Sequence, residues 1–290
     1  MTATHPTGQS AALSTGAAAL LQWQQWSGVL LGALVWLWPM THGPYFPFWP
    51  NFVAWSAGLW LLVLLQPRLP TGAAVVAQGW LLAALVSAVL ALVQYFGFSE
   101  WLFPLSATTP PGFAWANTRQ INHLASLLVV GVWVLAWLQA QNRWLRHLPW
   151  MALLMASALA ATASRGGALQ LLMVVAMALA WGRGRRGPLL RLYGLALISY
   201  VLAMLILPWL LEHGLGVTPE RHLLTRMAVE GTCSSRKVLW ANVLELITQQ
   251  PLTGWGWNGL RYGFYLTLFD GIRFCAMLTN AHNLPLQLAT

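Results

Sequence analysis

The sequence predicts an all-α, polytopic membrane protein. Three observations carry that prediction. Only 7% of the 290 residues are charged, against 58% hydrophobic, where a soluble domain has about 25% charged. Apolar runs of helical length recur along the chain. Arginine falls almost wholly in alternate connections between those runs. Nineteen tryptophans agree, because Trp favours the membrane–water interface, with its ring buried and its N–H wet.

A helix that crosses a bilayer needs about 20 mostly apolar residues. Seven runs qualify or nearly qualify: Trp26–Met40, Asn51–Leu65, Ala73–Phe96, Ile121–Gln139, Leu148–Ala163, Gly166–Trp181 and Leu189–Leu211. The first is short but can draw on Ala17–Gln25. The fifth and sixth are parted only by Ser164 and Arg165. They are expected to form a tight helical hairpin; the alternative is one long broken span.

One set of alternate connections holds Arg68, Arg143, Arg146, Arg183, Arg185, Arg186 and Arg191. The other short connections hold only Arg119 and Arg165. The positive-inside rule puts the first set, and the N-terminus, in the cytoplasm. The chain after the seventh run is then periplasmic. The expected division is a helix bundle over 1–211 and a helical periplasmic loop over 212–290.

That second part has a different texture. It carries six of the fifteen basic residues and most of the acidic ones. Lys237–Gln249 reads as an amphipathic helix, with Val238, Leu239, Trp240, Val243, Leu244, Leu246 and Ile247 on a broad apolar stripe and Pro251 as its stop. Gly254, Gly256 and Gly259 then mark a turn-rich stretch with Trp255 and Trp257. The chain ends within a new apolar pattern, Asn283–Ala289, so the sequence reads as the N-terminal part of a longer protein. A stop codon after Thr290 in the gene would overturn that expectation.

Composition also excludes classes. The net charge of +9 does not imply nucleic acid, because the basic residues lie between apolar runs and no RNP, zinc-finger or helix-turn-helix pattern is present. Cys233 and Cys275 form no CxxC pair, which disfavours a zinc or iron–sulfur site. The chain has no Walker A, HExxH, GxSxG or aspartate-rich metal motif, so no cofactor or metal is expected. No Asp or Glu lies within any of the seven runs, although many ion-coupled transporters depend on such carboxylates. Residues 1–25 lack a basic n-region and a cleavage site, so they are not read as a cleaved signal peptide.

Four groups of residues can carry chemistry. Arg165, in ATASRGGALQ, breaks the charge rule at a hairpin tip. An arginine at membrane depth costs about 2.5–3.5 kcal/mol on insertion scales, so it either clamps an anion or snorkels to water. Gly166 and Gly167 beside it would let a ligand approach the backbone. Arg119 stands with Asn117, Gln120, Asn122 and His123 at the entrance to the fourth run. That cluster is either a helix cap by Asn117 with hydration or a polar floor for a sugar or phosphate. Arg236 opens the amphipathic helix, where free N–H groups favour anions and a cation opposes the dipole. His282 sits between Asn280 and Asn283; histidine is the residue type best suited to take a proton near neutral pH, although a lone histidine is more often structural. The asparagines could orient its ring or bind a hydroxyl.

Four stretches resemble a known family: NTRQINHLASLL at Asn117–Leu128, ASRGGAL at Ala163–Leu169, SSRKVLWANVLELITQQPLTGWGWN at Ser234–Asn258 and AHN at Ala281–Asn283. Their order, with the spacing of Arg236, Trp240, Pro251, Gly254 and Gly256, is similar to that in the bacterial O-antigen ligase and protein O-oligosaccharyltransferase superfamily, which includes the O-antigen polymerases. The polar element at the fourth run looks most like the protein-glycosylating branch. The resemblance implies about a dozen spans in the complete protein and a large periplasmic loop. It implies a metal-free enzyme that moves a glycan from an undecaprenyl-diphosphate carrier to an acceptor hydroxyl on a protein, on lipid A core or on another glycan. It assigns the diphosphate to Arg165 and Arg236, with Arg119 as a further candidate, and makes His282 the base that acts on, or positions, the hydroxyl. Asn117, Gln120, Asn122, His123 and Asn283 would be polar contacts to substrate. An oxidising compartment would permit a Cys233–Cys275 bridge; two unrelated thiols are the alternative. Against the transferase stand a lipid flippase, which would need charges at mid-depth in its helices, and a non-catalytic scaffold, which would need no polar clusters.

Overall fold

In a computed structural model of the protein, residues 15–38, 52, 55, 56, 58, 72–141, 146–181, 186–217, 233, 235–256 and 259–289 are described. Among them there is no strand; the ordered elements are α-helices and two 3-10 turns. The chain divides into two compact units, Met1–Leu223 and Leu224–Thr290.

Among the described residues, six α-helices lie in the first unit: α1 (Thr15–Leu37), α2 (Gly72–Tyr95), α3 (Ile121–Ala140), α4 (Leu148–Ala161), α5 (Arg165–Trp181) and α6 (Arg186–Leu215). The first extends back through Ala17–Gln25, as the sequence allowed. The second expected run, Asn51–Leu65, lies almost wholly outside the described residues, as do Arg68, Arg143, Arg183 and Arg185. Stretches Ala73–Tyr95, Ile121–Ala140 and Gly187–Leu215 are long and apolar enough to cross a membrane. At 1.5 Å per residue, 20 residues rise about 30 Å, the thickness of the hydrocarbon core. Helix α6 continues past the expected end at Leu211 to Leu215, because a helix keeps its backbone bonds after its apolar run gives way to Glu212 and His213.

Close approach holds this bundle together, as expected where lipid removes the hydrophobic force between helices. Helices α2, α3 and α4 pack mutually. At their meeting point a Cβ on Gly131 would stand 2.7 Å from Ala84 Cβ and 2.6 Å from Met155 Sδ. A Cβ on Gly79 of α2 would stand 2.9 Å from the Val29 carbonyl oxygen of α1. One expectation changes. Helices α4 and α5 are separate, but they do not lie along one another as a packed hairpin. Beyond the turn, α4 packs on α2, α3 and α6, and α5 packs on α3 and α6. Two small residues explain the choice: a Cβ on Gly167 would lie 2.7 Å from Ala125 Cβ of α3, so α5 beds against α3 where neither has a bulky side chain.

In the second unit, α7 (Arg236–Gln249), α8 (Leu260–Leu266) and α9 (Leu284–Ala289) surround a core of Leu239, Val243, Leu246, Leu260, Phe264, Leu278 and Ala281. The apolar stripe on α7 is narrower than the sequence suggested. Leu239, Val243 and Leu246 share the inner face, whereas Leu244, one residue and about 100° further round from Val243, is 52% exposed. Buried Asn242 ties α7 to the later chain: its Oδ1 accepts from Phe274 N at 2.8 Å and its Nδ2 donates to the Ile272 carbonyl at 3.2 Å. Trp255 donates to the Leu246 carbonyl at 2.9 Å and lies on Gly263, where a Cβ would come 2.7 Å from the indole. Cys233 and Cys275 form a disulfide with Cα atoms 5.2 Å apart, which settles the question the sequence left open.

Two outcomes follow. Gly131→Ala should destabilise the detergent-solubilised bundle by about 1–3 kcal/mol, since Met155 can swing aside but Ala84 Cβ is fixed to its backbone; an unchanged thermal unfolding curve would contradict this contact. Denatured, non-reduced protein should titrate no free thiol, and Cys275→Ser should lower stability by about 4 kcal/mol from the chain entropy of a 42-residue closure.

Candidate functional site

Each unit presents candidate residues, and in each the local chain is held in a costly conformation. In the first unit the α2–α3 connection is organised by Gln94, which is fully buried. Its Nε2 donates to Ser106 Oγ at 2.9 Å and to the Ala107 carbonyl at 3.1 Å. Its Oε1 accepts from Ala116 N at 2.7 Å and Trp115 N at 3.2 Å. Ser99 adds a reciprocal pair with the Thr109 backbone, both bonds 3.0 Å. The sequence reading missed Gln94; a glutamine one residue from the end of a 24-residue apolar helix was the available signal.

Asn117 follows directly and is 4% exposed. Its Nδ2 donates to the Leu37 carbonyl at 2.7 Å and the Leu105 carbonyl at 2.9 Å. It neither caps α3 nor offers its N–H groups to a ligand, because both are taken by backbone carbonyls. Gln120 occupies the N-cap position of α3 but makes no side-chain cap bond. Arg119 is half-buried; Gln120, Asn122 and His123 are exposed.

Asn122 links this entrance to Arg165. Ser164 Oγ donates to Asn122 Oδ1 at 2.9 Å and accepts from Gly167 N at 3.1 Å. Ser164 is therefore the side-chain cap of α5, and Arg165 is its first helical residue, exposed. Gly167 serves helix packing rather than ligand approach, whereas Gly166 is exposed. One further pair runs down the same α3–α5 seam, Ser126 and Gln170 at 3.0 and 3.1 Å.

The second unit repeats the device. Ser235 Oγ accepts from Val238 N at 3.3 Å, and Arg236 is the first residue of α7. Both helices thus begin with a serine cap followed by an exposed arginine. A cation at that position faces the positive end of the helix dipole. The arrangement is unfavourable alone and favourable once an anion binds the arginine and the free N–H groups together.

One helical turn on, Trp240 Nε1 donates to the Ala281 carbonyl at 3.0 Å, fixing the residue before His282 to α7. Ala281 N donates to Gln287 Oε1 at 2.8 Å, and His282 N to Asn280 Oδ1 at 2.8 Å. Asn283 Oδ1 accepts from Leu286 N at 3.3 Å and caps α9. The two asparagines therefore shape the backbone around His282 rather than holding its ring, and the His282 side chain is exposed. Asn258 and Trp257 lie outside the described residues.

In each unit a strained backbone position falls at or near a candidate residue. Among the described residues, the non-glycine positions with positive φ are Ala116 (48°), Arg119 (51°), Ala163 (48°) and His282 (51°). A left-handed residue with a Cβ costs about 1–2 kcal/mol, and such strain persists where the surroundings over-determine it. Two of the four are candidate residues, and Ala163 stands two before a third. No glycine signals any of these turns, so the sequence hides them.

Replacing Gln94 with Leu should strand two buried backbone N–H groups at a cost of about 1–3 kcal/mol each. Hydrogen exchange at Trp115 and Ala116 should rise while the middle of α4 stays protected; unchanged exchange would show that Gln94 does not hold the connection.

Residues 150–290 match the family model Wzy_C, described as O-antigen ligase. No curated protein and no solved structure matches the chain. The match covers α4 onward and takes in Ser164–Gly167, Ser235–Trp240 and His282. The family implies a glycosyltransferase-type enzyme. This match, over 150–290, supports the O-antigen ligase superfamily for the chain.

Proposed function

We propose that the protein transfers a glycan from undecaprenyl diphosphate to a protein serine or threonine hydroxyl at the periplasmic face of the bacterial inner membrane. The observation that carries the reading is the twice-used serine-capped, arginine-first helix, at Ser164–Arg165 and Ser235–Arg236. Each is a preformed anion site of the kind a diphosphate leaving group requires.

Transfer would proceed by attack of the acceptor oxygen on the anomeric carbon. The carbon–oxygen bond to the diphosphate breaks, and undecaprenyl diphosphate leaves with the electron pair. His282 takes the hydroxyl proton or orients the hydroxyl. Arg165 and Arg236 are the phosphate-binding residues, and Arg119 supports them. Their charge answers the developing charge on the leaving group, so the reaction needs neither metal nor nucleotide. Gln120, Asn122 and His123, exposed at the entrance to α3, are sugar contacts; Asn283 contributes through the loop it caps.

The topology belongs to the same proposal. Seven spans put the N-terminus in the cytoplasm and 212–290 in the periplasm, within a protein of about twelve spans. The Cys233–Cys275 bridge supports that side, since disulfides persist in oxidising compartments. Lipid A core is the alternative acceptor within the superfamily, and growth of an O-antigen chain is another.

The test uses the full-length gene in a host lacking its own ligase, given a lipid-linked glycan and an acceptor protein. His282→Ala should lower transfer by about 10²–10⁴-fold without weakening donor binding. Arg165→Ala and Arg236→Ala should each lower it by about 10²–10³-fold, with partial recovery in the lysine variants. Undiminished transfer by His282→Ala would remove its assignment. Transfer to lipid A core alone would change the acceptor, and transfer to neither would favour a flippase.

A further inference from the structure

The connection between α2 and α3 is folded inside out for a segment in water. Most of the polar side chains on and beside it point inward: Gln94 at the end of α2, and Ser99, Ser106 and Thr109, are buried, while Thr108 is exposed. Its large apolar side chains point outward. Trp101 is 80% exposed and Leu105 69%, with Phe98 and Phe103 also exposed. The Phe98 and Trp101 rings lie 4.9 Å apart and tilted, so they form one surface rather than isolated residues. Residues 96–118 hold a single charge, Glu100, itself exposed at the 3-10 turn Ser99–Leu102.

In water a loop of this composition would bury the aromatics and hydrate the serines, because apolar surface is driven inward. The reverse arrangement is stable where the surroundings are apolar and every polar group must be satisfied within the chain. Gln94 and Ser99 satisfy Ser106, the Ala107 carbonyl, the Thr109 backbone and the Ala116 N–H in this way, while the Thr109 hydroxyl is buried without a partner. The bundle itself also exposes large apolar side chains, among them Leu172, Met173, Leu202 and Leu205.

We infer that the tip at residues 98–105 is seated in the bilayer, with lipid as its occupant. Its depth is the headgroup–acyl boundary. Tryptophan prefers that level, and the Glu100 carboxylate keeps the tip from sinking further. The seat would fix the loop from outside as Gln94 fixes it from inside. Arg119 is therefore presented at a constant height relative to the headgroups. This inference rests on the bundle being a membrane protein and not on the transferase reading.

Spin labels test it. Trp101→Cys and Leu105→Cys would each carry a nitroxide in the full chain, reconstituted in nanodiscs of phosphatidylethanolamine and phosphatidylglycerol. Leu202→Cys serves as the lipid-facing reference and Thr253→Cys as the exposed-turn reference. The expected result is collision with oxygen exceeding collision with nickel-EDDA, as for the Leu202 label. Preferential collision with nickel-EDDA, as in water, would overturn the inference. So would loss of both collisions, which would mean that protein, such as a second copy, covers the tip. Unmodified protein gives an independent measurement should the variants misfold. Hydroxyl-radical oxidation of Trp101 should be at least several-fold slower in nanodiscs than the 80% exposure implies; fast oxidation would count against the bilayer seat.

Discussion

Backbone polar groups at the end of a membrane bundle cannot rely on water, and the arrangement of the first unit follows from how that requirement is met. One side chain meets it. Gln94 offers two donors and one acceptor atom to four groups on the α2–α3 connection. Those bonds set the left-handed turn at Ala116. Asn117 then reaches back to Leu37 and Leu105, and Arg119 follows in its own left-handed conformation. Apolar contacts alone would hold the helices but would leave this segment without a defined path.

The two arginine-first helices show how rigidity and chemistry are combined. Serine satisfies one free N–H at each start, which leaves other N–H groups for a ligand. In the first unit the cap has a second task, since Ser164 also bonds Asn122 on α3. The start of α5, where the proposed function places an anion, is thus braced against a neighbouring helix. Gly167 makes that bracing possible by letting α5 rest on Ala125. In the second unit the brace is the apolar face of α7, with Leu239 and Val243 buried immediately behind the arginine's turn.

Most of the helices could be read from the sequence, because apolar runs of about 20 residues have few other uses. Arg165, Arg236 and His282 also stood out, each being a polar residue in an unusual setting. What was hidden had no local signal. Packing partners depend on small residues meeting across helices, so α5 choosing α3 over α4 could not be seen from Gly167 alone. The backbone bonds of Asn117, Asn280 and Asn283 were hidden for a related reason. An asparagine near a candidate site looks available for a ligand until its amide is found bonded to backbone. Left-handed turns at Arg119, Ala163 and His282 lacked the glycine that would have marked them.

The bond from Trp240 to the Ala281 carbonyl has a consequence for how ligands are felt. Arg236 and Trp240 lie one turn apart on a single rigid helix, so displacement at one is displacement at the other. An anion that settles or leaves at the start of α7 acts on the peptide unit next to His282. Under the proposed function, donor and acceptor sites in this unit would be energetically linked. Linkage is reciprocal: whatever strengthens the grip on the leaving group alters the reach of His282, and an acceptor held there would in turn tune the affinity for the carrier.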